Sequence, residues 1–124
     1  MIMKKNIICL AIISICSLLF SGTKNKVTLG IDVLLKKEIS LLERKRVGLI
    51  INPTGVNGSL IPDVDLFFKN PKIELVALFG PEHGVRGDMP AGQKIKDYVD
   101  KATGLPVYSL YGDRMKPTPK MLKN

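Results

Sequence analysis

The sequence of 124 residues predicts an α/β protein, a Rossmann-like parallel sheet with flanking helices. Short strands are predicted over residues 47–51, 72–79 and 105–112, where continuous apolar residues prevail over alternation, as is typical of strands buried on both faces. Helical patterns precede the first run and separate it from the second. Three strands are few to enclose a core, so residues 23–124 are expected to form the N-terminal portion of a larger domain.

The helices and strand ends follow from local signals. Before the first strand, apolar residues recur on one helical face, at Ile31, Leu34, Leu35, Ile39 and Leu42. Asn52-Pro53 ends the first strand, because proline cannot continue a hydrogen-bonded ladder. A short helix is predicted over residues 63–69, with Pro62 near its start, and a further helix is expected to begin near Pro117.

Residues 1–22 are predicted to be a secretory signal peptide. Lys4 and Lys5 precede an uncharged apolar run over residues 7–20, and small residues follow it. This run is shorter than the roughly 20 residues of a membrane-spanning helix, and an uncleaved anchor is the alternative. The remainder is expected to be exported, to the periplasm or outside the cell, and to meet the membrane only through this segment.

Cysteine use and charge exclude several classes of function. Both cysteines, Cys9 and Cys16, lie in the apolar run, so the chain without it has neither a disulfide nor a cysteine metal site. The formal net charge is +8, part of it between residues 24 and 46. No aromatic residue lies in that stretch to stack on a base, so a solvated basic helix face is expected and no nucleic acid partner.

Three polar loops follow the predicted strands. They are "NPTG" (residues 52–55), "GPEHGVRGD" (80–88) and "YGDRMKPT" (111–118). Ligands of open α/β sheets bind outside the carboxyl ends of the strands, so these loops are expected to meet at one ligand-binding edge. Loops are also polar simply because they are exposed, which is the alternative interpretation.

The second loop carries the groups best suited to chemistry. Glu82 supplies a carboxyl that burial would shift toward the neutral form, as a general acid requires. His83 is suited to orient it, Arg86 to bind a carboxylate or phosphate, and Asp88 is a second carboxylate. The alternative interpretation is a surface turn without a chemical role, in which Glu82 and Arg86 form an ion pair. One histidine gives poor support for a metal, and the glycine spacing fits no phosphate-binding fingerprint, so neither metal nor cofactor is predicted.

The motifs together resemble a known family. "GIDVLL" (residues 30–35), "RVGLIINPTGV" (46–56), "LVALFGPEHGVRGD" (75–88), "AGQ" (91–93), "TGLPVYSLYG" (103–112) and "KPT" (116–118) occur in this order. In this combination they closely resemble the N-terminal part of bacterial exo-β-N-acetylmuramidases, glycosidases of peptidoglycan turnover that were long a domain of unknown function.

The resemblance implies a Rossmann-like catalytic domain, a smaller C-terminal domain and release of N-acetylmuramic acid from the non-reducing end of peptidoglycan fragments. It implies Glu82 as the leading catalytic residue, with His83 and Asp88 beside it. Asn52, Arg86 and Tyr111 are expected to bind a muropeptide or disaccharide, Arg86 through the lactyl carboxylate. Family members are longer, so this chain is expected to be inactive alone. A non-catalytic glycan-binding module of the cell envelope is the alternative.

Overall fold

The computed structural model describes residues 27–123, and the predicted signal segment therefore lies outside the described residues. The sheet has four strands in the order β1-β2-β4-β3: β1 (Arg46–Ile50), β2 (Glu74–Gly80), β3 (Tyr98–Val99) and β4 (Pro106–Ser109). Strands β1, β2 and β4 run parallel, and β3 pairs antiparallel with β4. The predicted α/β class with a mostly parallel sheet is confirmed.

Two helices accompany the sheet, α1 (Gly30–Lys37) and α2 (Asp63–Lys69). The bounds of α2 are those predicted from the sequence. The first predicted helix is interrupted at Glu38, after which residues Ile39–Leu41 form a 3-10 helix. The predicted apolar face survives this break, since all of its members pack against the core: Ile31, Leu34, Leu35, Ile39 and Leu42.

The main core lies between these helices and one face of the sheet. Val64 and Phe67 of α2 are buried there against Leu78 and Val107, both of which are 0% exposed. Burying one such side chain contributes about 1.5–3 kcal/mol relative to leaving it in water. A smaller cluster, with Phe79 at its centre, lies apart from this core and includes Tyr108 and Met121.

Two elements differ from the sequence-based expectation. Strand β3 was not predicted, because two residues are too few to show a periodic pattern. The helix expected from Pro117 does not form within the described residues, where residues 118–122 make consecutive turns. In these turns Met121 and Leu122 donate their backbone N–H groups to carbonyls three residues earlier, at 3.0 and 3.3 Å. Among the described residues no helix has the length and apolar character needed to cross a membrane.

Candidate active site

The three polar loops converge as predicted, because they follow the parallel strands β1, β2 and β4. The backbone N–H of Ile51 donates to Phe79 at 3.0 Å, and that of Leu110 donates to Gly80 at 2.8 Å, which ties the strand ends together. The first loop touches the second: a Cβ atom added to Gly87 would lie 3.0 Å from the Cβ of Pro53. The second loop touches the third through side chains.

The loop after β2 is shaped by a tight turn at its start. The N–H of Gly84 donates to the carbonyl of Pro81 at 3.0 Å, so Glu82 and His83 are the central residues. His83 has a φ of 70°, the positive value that the second central residue of a type II turn adopts. Gly80 keeps a strand conformation, and its role is close approach: a Cβ there would lie 3.2 Å from the Cα of Gly84.

Glu82 and Tyr111 are brought into contact. The N–H of Gly92 donates to the Glu82 Oε1 at 3.1 Å. This bond, and next the hydrogen bond with the Tyr111 hydroxyl, holds the pKa of Glu82 below its usual value. The same contact raises the pKa of Tyr111. The shift is opposite to the one that a general acid needs, since the donors outweigh the effect of burial on this partly exposed carboxylate.

His83 is fixed by the loop itself. Its Nδ1 lies 3.2 Å from the carbonyl oxygen of Met89, and the N–H of Met89 donates back to the His83 carbonyl at 3.4 Å. A carbonyl oxygen only accepts, so Nδ1 carries a proton in this arrangement. The ring is therefore held at a set orientation with Nε2 as its second polar atom.

Arg86 has partners that the sequence did not reveal. Its Nε donates to Asp100 Oδ1 at 2.6 Å, and its Nη2 donates to Asp100 Oδ2 at 2.9 Å and to Asp65 Oδ1 at 2.8 Å. The hydrogen bonds that Arg86 donates to Asp100 and then to Asp65 raise its pKa. The bonds that Asp100 accepts from Arg86 lower the pKa of Asp100, which is 3% exposed. The guanidinium thus joins α2, the loop after β2 and the segment after β3. This structural arrangement differs from the lactyl-carboxylate contact expected of Arg86.

Asp88 and Asn52 line two different depressions. Asp88 is exposed and lines a depression of about 440 Å³ together with Arg86 and Tyr98. Asn52 lines a cleft of about 510 Å³ at the end of β1, where its Oδ1 accepts from the N–H and hydroxyl of Thr54 at 3.2 and 2.7 Å. Of the predicted site residues, Glu82 and Tyr111 are brought together. The hydrogen-bond partners of Asn52, His83 and Arg86 in the described part of the chain are residues outside the predicted site.

The cleft beside Asn52 contains a carboxyl that sequence reasoning missed. Asp63 lines it, and its buried Oδ1 has no hydrogen-bond partner among the described residues. Burial, and then the negative charge of Asp32, raise the pKa of Asp63. In the sequence, the position of Asp63 just after Pro62 indicated only the start of a helix. The fold shows that Asp63 also lines a cleft. Within residues 27–123 no group of three or more His, Cys, Asp or Glu side chains is placed to hold a metal ion.

The fold and the site define a class of α/β domain. In this class a glycine-rich turn holds a carboxylate at the carboxyl ends of the parallel strands, where open α/β sheets bind their ligands. Residues 47–124 match the family described as "Exo-beta-N-acetylmuramidase NamZ, N-terminal". The chain belongs to this family, as the motif resemblance indicated.

Two relatives support the assignment. The chain is 59% identical over 104 residues to the peptidoglycan beta-N-acetylmuramidase NamZ of Bacillus subtilis (strain 168), a match that covers 84% of this chain and 25% of the relative. It is similar to the crystal structure of a DUF1343 family protein from Bacteroides fragilis NCTC 9343, with a TM-score of 0.68 and 55% identity. That match covers 77% of this chain and 23% of the other. The chain thus spans about a quarter of the length of each relative.

Proposed function

We propose that this chain supplies the catalytic carboxylate of an exo-acting glycosidase that releases N-acetylmuramic acid from the non-reducing end of peptidoglycan fragments. The observation that carries the proposal is the Glu82 carboxylate, held by the Gly92 N–H where the loops after β2 and β4 meet. Membership of the muramidase family supplies the sugar class. Tyr111 is proposed as the residue that positions Glu82 and contacts the sugar.

Glycoside hydrolysis normally uses two carboxylates, and their separation sets the stereochemical outcome. Glu82 is proposed as the one that acts at the glycosidic bond, and His83 and Asp88 as its supporting groups on the same loop. Asn52 is proposed to bind the sugar from the cleft after β1, where it lies beside Asp63.

A chimera tests the catalytic proposal directly. Residues 21–124 replace the matching segment of the Bacillus subtilis enzyme, and release of N-acetylmuramic acid from the β-linked N-acetylmuramyl-N-acetylglucosamine disaccharide is measured. General acid–base catalysis contributes about 10²–10⁴-fold, so Glu82→Gln should lower turnover by about 100-fold or more. Glu74→Gln is the matched control, since Glu74 lies at the opposite end of β2 in an exposed pair with Arg46. Substantial turnover by the Glu82→Gln chimera would exclude the catalytic role.

A non-catalytic glycan-binding module is the second candidate. The lowered pKa of Glu82 favours it, because an ionised carboxylate accepts hydrogen bonds from sugar hydroxyls but gives no proton to a leaving group. A folded chimera that binds the disaccharide without cleaving it would support this function over the first.

Export is proposed on the basis of Lys4, Lys5 and the apolar run that follows them. Peptidoglycan lies outside the cytoplasmic membrane, so the proposed substrate and the proposed location agree. Residues 1–30 fused to a reporter that is active only after export should give reporter activity. A fusion that stays inactive inside the cell would refute the proposal.

A further inference from the structure

A second depression, of about 250 Å³, is lined in part by Tyr111. It lies between the segment before β3 and the loop after β4. We call it the basic recess and define it by six of its lining residues: Lys94, Lys96, Asp97, Tyr111, Asp113 and Arg114. Tyr111 lines this recess and also lowers the pKa of Glu82, so the recess and the proposed catalytic carboxylate have Tyr111 as a common neighbour.

Arg114 and Asp97 of the basic recess are held in place by hydrogen bonds to each other and to Ser109. Arg114 donates through Nε to the carbonyl of Ser109 at 2.9 Å and through Nη2 to Asp97. Asp97 also accepts the N–H of Ser109 at 2.9 Å, and Ser109 is 3% exposed. The charge of Arg114 is thus balanced by Asp97, and both are held by the end of β4.

Two exposed lysines, Lys94 and Lys96, supply the positive charge of the basic recess that a ligand can reach. Lys94 pairs with Asp113 at 2.7 Å, but these side chains are 75% and 84% exposed, and such surface pairs are weak and readily exchanged. Gly112, with a φ of 117°, lets the loop pack on the stem of Lys94: a Cβ there would lie 3.2 Å from the Lys94 Cγ. Lys96 forms no ion pair with any residue between 27 and 123. Three cations therefore face two carboxylates, an excess of one positive charge.

We propose that the basic recess is the subsite for the lactyl carboxylate that distinguishes a terminal muramic acid from a glucosamine. This inference rests on the proposed function. The lactyl carboxylate replaces Asp113 as the partner of Lys94. It also accepts a hydrogen bond from Lys96, which has no ion-pair partner in the described part of the chain. Arg86 does not supply this contact, because three of its donor bonds already go to Asp65 and Asp100.

Calorimetric titration of the Glu82→Gln form of the chimera, in which the sugar is expected to stay largely uncleaved, tests the subsite with three sugars. The first is the N-acetylmuramyl-N-acetylglucosamine disaccharide, the second is the same sugar with its lactyl carboxylate converted to a primary amide, and the third is diacetylchitobiose. The acid should bind about tenfold more tightly than the other two, a preference that falls as salt rises. Lys96→Gln should remove most of this preference while leaving the affinity for the amide unchanged. Lys120→Gln, an exposed lysine outside the basic recess, is the charge-matched control and should have no effect.

The outcomes of the titrations distinguish a failure of the subsite from a failure of the proposed function. Equal binding of acid and amide by this chimera, or a preference that persists when either Lys96→Gln or Lys94→Gln is added to it, overturns the subsite while the proposed sugar binding stands. An equal loss in Lys120→Gln also overturns it, since the effect would then be one of net charge. Binding of none of the three sugars overturns the proposed function itself.

Discussion

Replacing Asp100 with asparagine tests whether Arg86 is a framework residue or a ligand-binding one. Asp100 is 3% exposed and provides two of the three carboxylate bonds of Arg86, at 2.6 and 2.9 Å. It also accepts the N–H and hydroxyl of Thr103, at 3.1 and 2.6 Å. The substitution keeps the shape of the side chain but removes its charge, and it turns one acceptor oxygen into a donor that faces other donors.

The expected cost follows from these contacts. Removing one partner of a buried ion pair destabilises a protein by about 3–5 kcal/mol, because the other charge is left uncompensated. Here Arg86 retains Asp65 at 2.8 Å and is itself 26% exposed, so we expect a loss of about 2–3 kcal/mol, at or below the lower end of that range. Small domains are stable by only about 5–15 kcal/mol, so this loss is large.

Urea unfolding followed by far-ultraviolet circular dichroism measures the effect. With a slope of about 1–3 kcal/mol/M, a loss of about 2–3 kcal/mol should lower the midpoint of Asp100→Asn by roughly 0.7–3 M. Glu74→Gln breaks the exposed Arg46–Glu74 pair and is the control that should leave the midpoint nearly unchanged. A midpoint for Asp100→Asn no lower than that of Glu74→Gln would refute the reasoning and return Arg86 to the set of ligand-binding candidates.

Three further predictions follow from local geometry. Gly87→Ala should unfold at a lower temperature than Gly104→Ala, since both positions have positive φ (78° and 71°) but only Gly87 would place its Cβ against Pro53. His83→Val should be less stable than His83→Gly by about 1 kcal/mol or more, because a branched side chain tolerates a φ of 70° poorly. Asp63→Asn should stabilise the fold at pH 7, because a pKa raised on folding makes the ionised carboxylate unfavourable. That gain should vanish in acid below both pKa values of Asp63, as urea midpoints measured against pH would show.

The sequence predicted the parts of the fold that depend on local patterns. The periodicity of α1, the proline before α2 and the apolar runs of the parallel strands all depend on neighbouring residues. The convergence of the three loops then followed from the direction of parallel strands. The partners of individual side chains could not be predicted in this way. Arg86 meets residues 21 and 14 positions away, and those contacts exist only once α2 and β3 are placed.

The same limit explains the one conflict over Glu82. Sequence reasoning expected a carboxyl whose pKa is raised in a covered cleft, whereas the Gly92 N–H and the Tyr111 hydroxyl lower it. For Glu82 to act as a general acid, the bound sugar must exclude water from the carboxyl or draw those donors to its own oxygens. Either change raises the pKa of Glu82 only in the complex.

The pH dependence of the chimera's turnover distinguishes the possible roles of Glu82. The profile of kcat/KM reports the pKa values of the free enzyme, and that of kcat reports those of the complex. An acid must be protonated, so activity should fall as pH rises through the pKa of Glu82, and the limb in kcat should lie at higher pH than the limb in kcat/KM. A nucleophile or base must be ionised, so activity would instead rise with pH through the lowered pKa. A rising acidic limb that disappears in Glu82→Gln would therefore exclude the acid role and assign Glu82 to attack on the sugar or on water.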